Sequence, residues 1–533
     1  MASIRILWCL FLFAFFSSPG FGQFSPSGGP LRPPQANMDI RHYRLNLSVD
    51  PDQQSFTGSA WISFVLKEPA SEILLDLVPV YQVSRVLING KPGIFGHQGE
   101  ALSIRTTAVM PAGRHRVDVF YAGKPPVAKR APWDGGIQWE KDSLGHPWIA
   151  MTCQTDGGKI FFPCKDHPGD EPDEGADLYI TVPKGLVVAG PGLLQSTKPK
   201  GKQVTFHWKT RYSISNYCIL FNVGDYKVVS RTYTTIKGRQ VPMQFYVLNY
   251  HANKAPHHLE LLERMARVQE KYFGEYPWVE EKIGIAETPH LGMEHQTMNA
   301  YGNKFKYTRV GGQDFDRLMH HEFGHEWWGN QVTNADWAHM WIQEGICVFG
   351  DAMYVREMEG EEAYLARMRQ TARATRNEKP VVQGDVVDSK ATYHQDIYGK
   401  GAFFMHTLRY VIGDSVFFPT LMKLATDPAY TRQPSVTTRD VRELFSKACG
   451  RNLNPLFQLF LYTTDKMQIR IRQLDEETYE LKIPNAGMAL PLDLRTDKGI
   501  DRIMVPEAGL QFKSKQLPEA DPRGYYLKSV TQE

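Results

Sequence analysis

The stretch Met319-His320-His321-Glu322-Phe323-Gly324-His325-Glu326-Trp327-Trp328-Gly329-Asn330 carries two histidines four positions apart, with a carboxylate next to the first. On a helix, residues i and i+4 lie one turn apart on the same face, so His321 and His325 can grip one metal ion together. Two neutral imidazoles at that spacing suit zinc, and Glu322 stands where it can take a proton from an attacking water. A catalytic zinc has three protein ligands and keeps one position open. Glu344, in Trp341-Ile342-Gln343-Glu344-Gly345, follows His325 after eighteen residues, enough for a loop and a return on a second helix. Alone it reads as a solvated helix Glu. Behind this histidine pair it completes a His2Glu set for one zinc ion per chain. His320 points about 100° around the helix from His321. His257, His258 and His394 have no acidic or Cys partner at metal spacing, so surface or supporting roles are expected for all four.

Elements of two kinds must position these groups. From about residue 38 the pattern has period two. Tyr43, Leu45, Leu47 and Val49 alternate with polar residues, as do Phe56, Gly58, Ala60, Ile62, Phe64 and Leu66. Turn residues such as Asn89-Gly90 punctuate the runs, which predicts an antiparallel β domain over 38–232. After His251 the period changes: Leu259, Leu262, Met265, Val268 and Tyr272 recur at three and four, predicting a helix that ends near Phe273-Gly274. Further helices are expected over 345–358, 361–376, 401–410 and 438–448, the last capped by Thr438 near Asp440. Alternation returns from Met467, with 479–483 the clearest strand. The expected fold is multidomain α+β, with an N-terminal β domain (38–232), a catalytic domain (233–465) and a small C-terminal β domain (466–533). Ser25-Pro26-Ser27-Gly28-Gly29-Pro30 and Pro33-Pro34 make 23–37 a flexible lead-in.

A length of 533 residues calls for two to four domains. A formal net charge of +3 is nearly balanced at this size and gives no case for nucleic acid. Arg5 precedes an apolar run over 6–16, followed by small residues to Gly22. That is the pattern of a secretory signal peptide over 1–22, too short to span a bilayer, so export to periplasm or extracellular space without stable membrane insertion is expected. Cys153, Cys164, Cys218, Cys347 and Cys449 remain, too few and scattered for a disulfide framework. Whether Cys153 and Cys164 pair is left open, as is the oligomeric state.

H-E-x-x-H followed after eighteen residues by Glu resembles the gluzincin zinc peptidases. His325-Glu326-Trp327-Trp328-Gly329-Asn330 and Trp341-Ile342-Gln343-Glu344-Gly345 look like the aminopeptidase branch that contains aminopeptidase N and leukotriene A hydrolase. Leu291-Gly292-Met293-Glu294-His295 is similar to that family's G-x-M-E-N, and Tyr398-Gly399-Lys400-Gly401 to its Y-x-K-G, with Tyr393 five residues earlier. Met151-Thr152-Cys153-Gln154 and 161–166 resemble the active-site edge of its β domain. The chain departs from the family pattern at Leu291, at His295 and at His339, which stands where an Asp is usual.

The resemblance implies a thermolysin-like α/β catalytic domain and a zinc-dependent aminopeptidase acting on peptides with a free N-terminus. It makes Glu322 the general base, Tyr398 the oxyanion donor, and Glu294 and Gln154 holders of the substrate's α-amine, beside Gly292 and Met293. It also implies a short form that ends before the large helical C-terminal domain of many relatives, leaving a more open cleft. Two other functions share the motifs, an epoxide hydrolase like the leukotriene-processing relative and a catalytically dead binding scaffold. The joint presence of Glu322, Tyr398 and all three ligands weighs against the scaffold.

Overall fold

The computed structural model describes residues 24–432 and 435–533, so the apolar run at 6–16 lies outside the described residues. The period-two pattern becomes the core of the N-terminal domain. Strands Met38–Asp50 and Ser55–Leu66 bury Tyr43, Leu45, Leu47 and Val49 against Phe56, Ala60, Ile62 and Phe64, with Leu45 opposite Ala60. They lie inside an eight-stranded sheet. That sheet is not wholly antiparallel, because Met38–Asp50 also pairs in parallel with Ala176–Pro183. A parallel neighbour needs a long crossover, and here the intervening chain builds further strands of this sheet and of two smaller ones. The four-stranded one holds Pro147–Thr152 as an inner strand, and Cys153-Gln154-Thr155 follow directly from it.

The lead-in, expected to be flexible, is packed from Phe24 onward. Ser27 Oγ donates to Asp166 at 2.8 Å, and Gln35 Nε2 donates to Asp76 at 2.6 Å. Ser27 N donates to the Thr155 carbonyl, and Ser389 N donates to the Ser27 carbonyl, both at 2.9 Å. Polar composition marked this segment as unable to build a core, but it could not reveal the buried acceptors waiting elsewhere.

The catalytic domain opens on a five-stranded sheet ordered Tyr226–Thr234, Gln240–Leu248, Ile283–Glu287, Asn299–Tyr301, Gly292–Met293. The boundary drawn at 232 falls inside the first of these, which pairs along its length with the second. Both sides of that point alternate, so period carries no boundary signal there. Helices α1 (Ala255–Phe273), α2 (Arg317–Gly324), α3 (Trp341–Glu359), α4 (Glu361–Ala374) and α5 (Gly399–Ile412) pack beside the sheet. α3 begins four residues before the expected 345, since Trp341, Ile342, Gln343 and Glu344 are buried and give no polar face to read. The helix Thr438–Cys449 is capped by Thr437, not Thr438, in a reciprocal box with Asp440.

α3 and α5 approach closely where two glycines meet. A Cβ on Gly345 would stand 2.8 Å from the Gly401 Cα, and one on Gly401 3.0 Å from the Gly345 Cα. This crossing sets Glu344 and Tyr398, each next to one of these contacts, beside the same cleft. Gly401→Val is expected to lower stability by about 1–3 kcal/mol through overpacking. Thermal unfolding checks this, and an unchanged Tm would show that the crossing has slack.

The C-terminal block, with strands Met467–Gln473, Thr478–Lys482, Leu510–Lys513 and Lys528–Gln532 in one sheet and Leu490–Thr496 in another, docks on α5. Tyr410 Oη donates to Asp493 at 2.8 Å, and Thr407 Oγ1 to the Tyr525 carbonyl at 2.7 Å. The five cysteines among the described residues are free, Cys153 and Cys164 included. Among the described residues no helix is long and apolar enough to cross a membrane.

Candidate active site

Asp316 caps α2 by accepting from the Met319 N–H at 3.1 Å. The helix ends at Gly324, and His325 keeps helical backbone angles at its C-cap, so the one-turn relation to His321 is preserved. The two Nε2 atoms are 3.3 Å apart, and Glu344 Oε2 lies 3.4 Å from that of His321 and 3.3 Å from that of His325. Donors about 2.0–2.1 Å from one tetrahedral zinc stand about 3.3–3.4 Å from each other. All three separations meet this. Glu344 Oε2 is buried and has no hydrogen-bond partner in the protein, which is costly for a carboxylate unless a cation meets it. The donor set fits one zinc ion.

The imidazoles are held from behind. His325 Nδ1 donates to the Trp328 carbonyl at 2.8 Å. His321 Nδ1 faces Asp351 at 3.7 Å, and the same carboxylate accepts from His320 Nδ1 at 2.7 Å. Asp351 lies seven residues past Glu344 on α3, two turns along the same face. Partners of this kind set ligand orientation and basicity, so Asp351→Asn is expected to weaken zinc affinity about 10- to 100-fold. Competition with a chromogenic chelator reads this directly, and unchanged affinity would leave Asp351 with His320 and Arg317 alone.

Gly292 shows why the edge strand can pass so near the base. A Cβ there would meet Glu322 Oε1 at 2.7 Å. Two residues on, Glu294 Oε1 accepts from Gln154 Nε2 and, at 2.9 Å, from Tyr217 Oη. Donor atoms of Glu294, Glu322 and His325 all lie within 4.8 Å of one another. Burial, opposed by the His321 charge and reinforced by Glu294, pushes the Glu322 carboxyl up to about 8. Burial raises Glu294 as well. Glu344 goes the other way: burial is overridden by His325 and His321, which hold it at about 2. Three acidic side chains therefore converge on the point that the two imidazoles face. Across from them Tyr398 is raised by burial and by Glu344, so it stays a protonated donor, and its hydroxyl meets that of Tyr393 at 2.8 Å.

Together these groups line a cleft of about 390 Å³. Pro132, Trp133, Gln154 and Thr155 form one wall from the β domain; Met293, Tyr393, His394 and Tyr398 face them from the catalytic domain. All nine sequence-derived site residues (His321, Glu322, His325, Glu344, Tyr398, Glu294, Gln154, Gly292 and Met293) lie on it. Tyr217 and Asp351 were missed. Tyr217 has no local signal at all, whereas the i+7 spacing from Glu344 could have found Asp351.

The departures from the family pattern sit behind the cleft. His295 is buried outside the lining, its carbonyl accepting from Asn299 Nδ2 at 3.1 Å, and burial holds its imidazole neutral, down to about 3. His339 Nδ1 lies 3.0 Å from Thr438 Oγ1, which also accepts from Trp341 Nε1 at 2.9 Å, so it anchors the start of α3. His320 and His258 are core residues, His257 pairs with Asp314 at 3.1 Å, and His394 lines the cleft without touching the metal ligands' cluster.

Residues 257–460 match the peptidase family M1 domain. Over 439 residues the chain is 24% identical to aminopeptidase B of Rattus norvegicus, covering 73% of this chain and 63% of that protein. It is 25% identical to aminopeptidase N of Escherichia coli over 225 residues, 39% of this chain and 26% of that one. The chain thus spans less than two thirds of these curated relatives. The crystal structure of an M1 zinc metallopeptidase from Deinococcus radiodurans shares the fold with a TM-score of 0.68 at 23% identity, covering 83% of this chain and 96% of that one. The segment that matches a peptidase family M1 domain is also the one in which the His2Glu donor set stands at zinc geometry.

Proposed function

We propose that this protein is a zinc aminopeptidase that hydrolyses the first peptide bond of peptides with a free N-terminus. The observation that carries this is Glu294, a buried carboxylate on the wall of the cleft with donor atoms near those of Glu322 and His325. A carboxylate one residue from the reacting carbonyl rewards an ammonium and leaves an acetylated end with an unpaired buried charge, a penalty of about 1–3 kcal/mol or more. Gln154 donates its amide N–H to Glu294, which turns its carbonyl into a second acceptor for the same amine.

When bound, zinc supplies a Lewis acid that polarises the scissile carbonyl and brings the pKa of water towards neutrality. Glu294 and Gln154 fix the α-amine and so set which bond reaches the ligand cluster. Glu322 takes the proton from the attacking water at its carboxylate and returns it to the departing amine. Tyr398 Oη donates to the oxygen that gains charge, and Tyr393 holds that hydroxyl in place.

Turnover of a panel of aminoacyl-coumarins, with and without chelator, tests the proposal. Chelator-sensitive release is expected. Activity that survives chelation, or equal cleavage of N-acetylated peptides, would overturn it. We further propose, from Arg5 and the apolar run at 6–16, that the chain is exported and processed near Gly22. N-terminal sequencing of the protein from fractionated cells decides this; an intact Met1 in the cytoplasmic fraction excludes it.

A further inference from the structure

We propose that the cavity beyond His321 and Tyr398 is a carboxylate-binding subsite, built on Arg367 with Arg317, which favours short peptides by grasping the free carboxylate at their C-terminal end. This rests on the aminopeptidase reading for its substrate, though its binding chemistry can be tested apart from turnover.

The cavity measures about 460 Å³, and its lining shares Leu318, His321, Gln395 and Tyr398 with the cleft described above, so the two are continuous. A peptide whose amine sits at Glu294 has Pro132, Trp133, Gln154 and Thr155 around that end. Its remaining residues have to run past Tyr398 into this second space. Each extended residue adds about 3.3–3.6 Å, so one or two residues after the cleaved bond bring a terminal carboxylate among the side chains of α4.

The charges there are unbalanced. Asp351 is the one acid in the lining, and it is already engaged by His320 at 2.7 Å and by Arg317 at 3.4 Å. Arg367, on α4, makes a hydrogen bond through Nη1 to Gln370 Oε1 at 3.2 Å and has no carboxylate within ion-pairing distance among the described residues. Burial and the like charge of Arg317 work against its charged form and outweigh the support that Asp351 gives it. A guanidinium cannot shed its proton, so the arrangement is relieved by an anion between the two forks. Guanidinium and carboxylate match as bidentate partners. The residues that would grip it come from α2 and α4, helices fixed by the core, so the subsite is formed before substrate arrives.

The same chemistry would accept an Asp or Glu side chain, and the test separates the two sources. The probe is an uncleavable alanine dipeptide, its peptide carbonyl reduced to methylene, bound to the zinc-loaded protein as the free acid and as the C-terminal amide. Calorimetry is expected to show the acid binding about 10- to 100-fold tighter, as a hydrogen-bonded charge warrants, with the gap closing in Arg367→Met. Equal binding of acid and amide to the unaltered protein overturns the subsite, as does a gap that persists in Arg367→Met. An Ala-Asp analogue with an amidated end is expected to bind like the plain amide; affinity equal to that of the free acid would show selection for acidic side chains and overturn the terminal-carboxylate assignment. In turnover, Arg367→Met is expected to lose about 10-fold or more in kcat/KM on free tripeptides while leaving aminoacyl-coumarin hydrolysis unchanged. If the unaltered protein hydrolyses no aminoacyl-coumarin, the aminopeptidase reading fails, and the acid-to-amide ratio still decides the subsite.

Discussion

Glu322→Gln is expected to lower kcat about 10²- to 10⁴-fold while zinc stays bound at one ion per chain. Gln has the same shape as Glu, so it fits against Gly292, where the space beside Oε1 is too small for a methyl group. The ligand atoms of His321, His325 and Glu344 are untouched. On the proposed function, what disappears is the group that takes a proton from water and hands it to the leaving amine, and removal of a positioned acid–base group costs about that factor. With Glu294 unchanged as the proposed holder of the amine, KM should change little. Steady-state kinetics with metal analysis on the same sample checks both halves. A near-normal kcat would remove Glu322 as the base, and a variant that loses its zinc would assign it a structural part instead.

Tyr398→Phe is expected to cost about 10²- to 10³-fold in kcat, the scale for loss of one donor to a developing oxyanion. The ring remains to pack at the α5 N-terminus beside His321, with centroids 6.3 Å apart, so the fold should be untouched. The hydroxyl alone is lost, and with it the partner of Tyr393 Oη. A donor that acts only as charge develops leaves substrate binding unaltered, which predicts a fall in kcat at constant KM. If KM rises in proportion and kcat holds, Tyr398 serves ground-state binding and the oxyanion is met elsewhere. Tyr393→Phe should show a smaller loss of the same kind, since it positions the donor without touching the substrate.

The metal site was legible because helical spacing is a strict geometric rule. Four residues apart means one face, and His321, Glu322 and His325 land where that rule puts them. Glu344 was read from zinc's need for a third ligand behind the histidine pair, because eighteen intervening residues fix no geometry by themselves. The structure adds the cause, a glycine-on-glycine crossing of α3 and α5 that no periodicity could announce. Glu294 and Gln154 had only motif likeness behind them, since they come from different domains and meet across a span of 140 residues. Tyr217 reaches Glu294 from a short 3-10 turn with no pattern at all. Local rules read local chemistry well, and fail where contacts are made by the return of distant chain. The lead-in is the plainest instance, for its prolines and glycines describe what it cannot build and nothing about what it can dock on.

The Thr155 carbonyl, one residue after Gln154, accepts from Ser27 N at 2.9 Å and from Ser389 Oγ at 2.6 Å, so it ties three segments together at the mouth of the cleft. The zinc ligands, Glu322 and Glu294 belong to one folding unit, while Gln154 and Tyr217, which hold Glu294 in place, come from the neighbour to which it is clasped. On the proposed function, dilute urea that loosens the clasp should therefore weaken the preference for a free amine before it releases the metal.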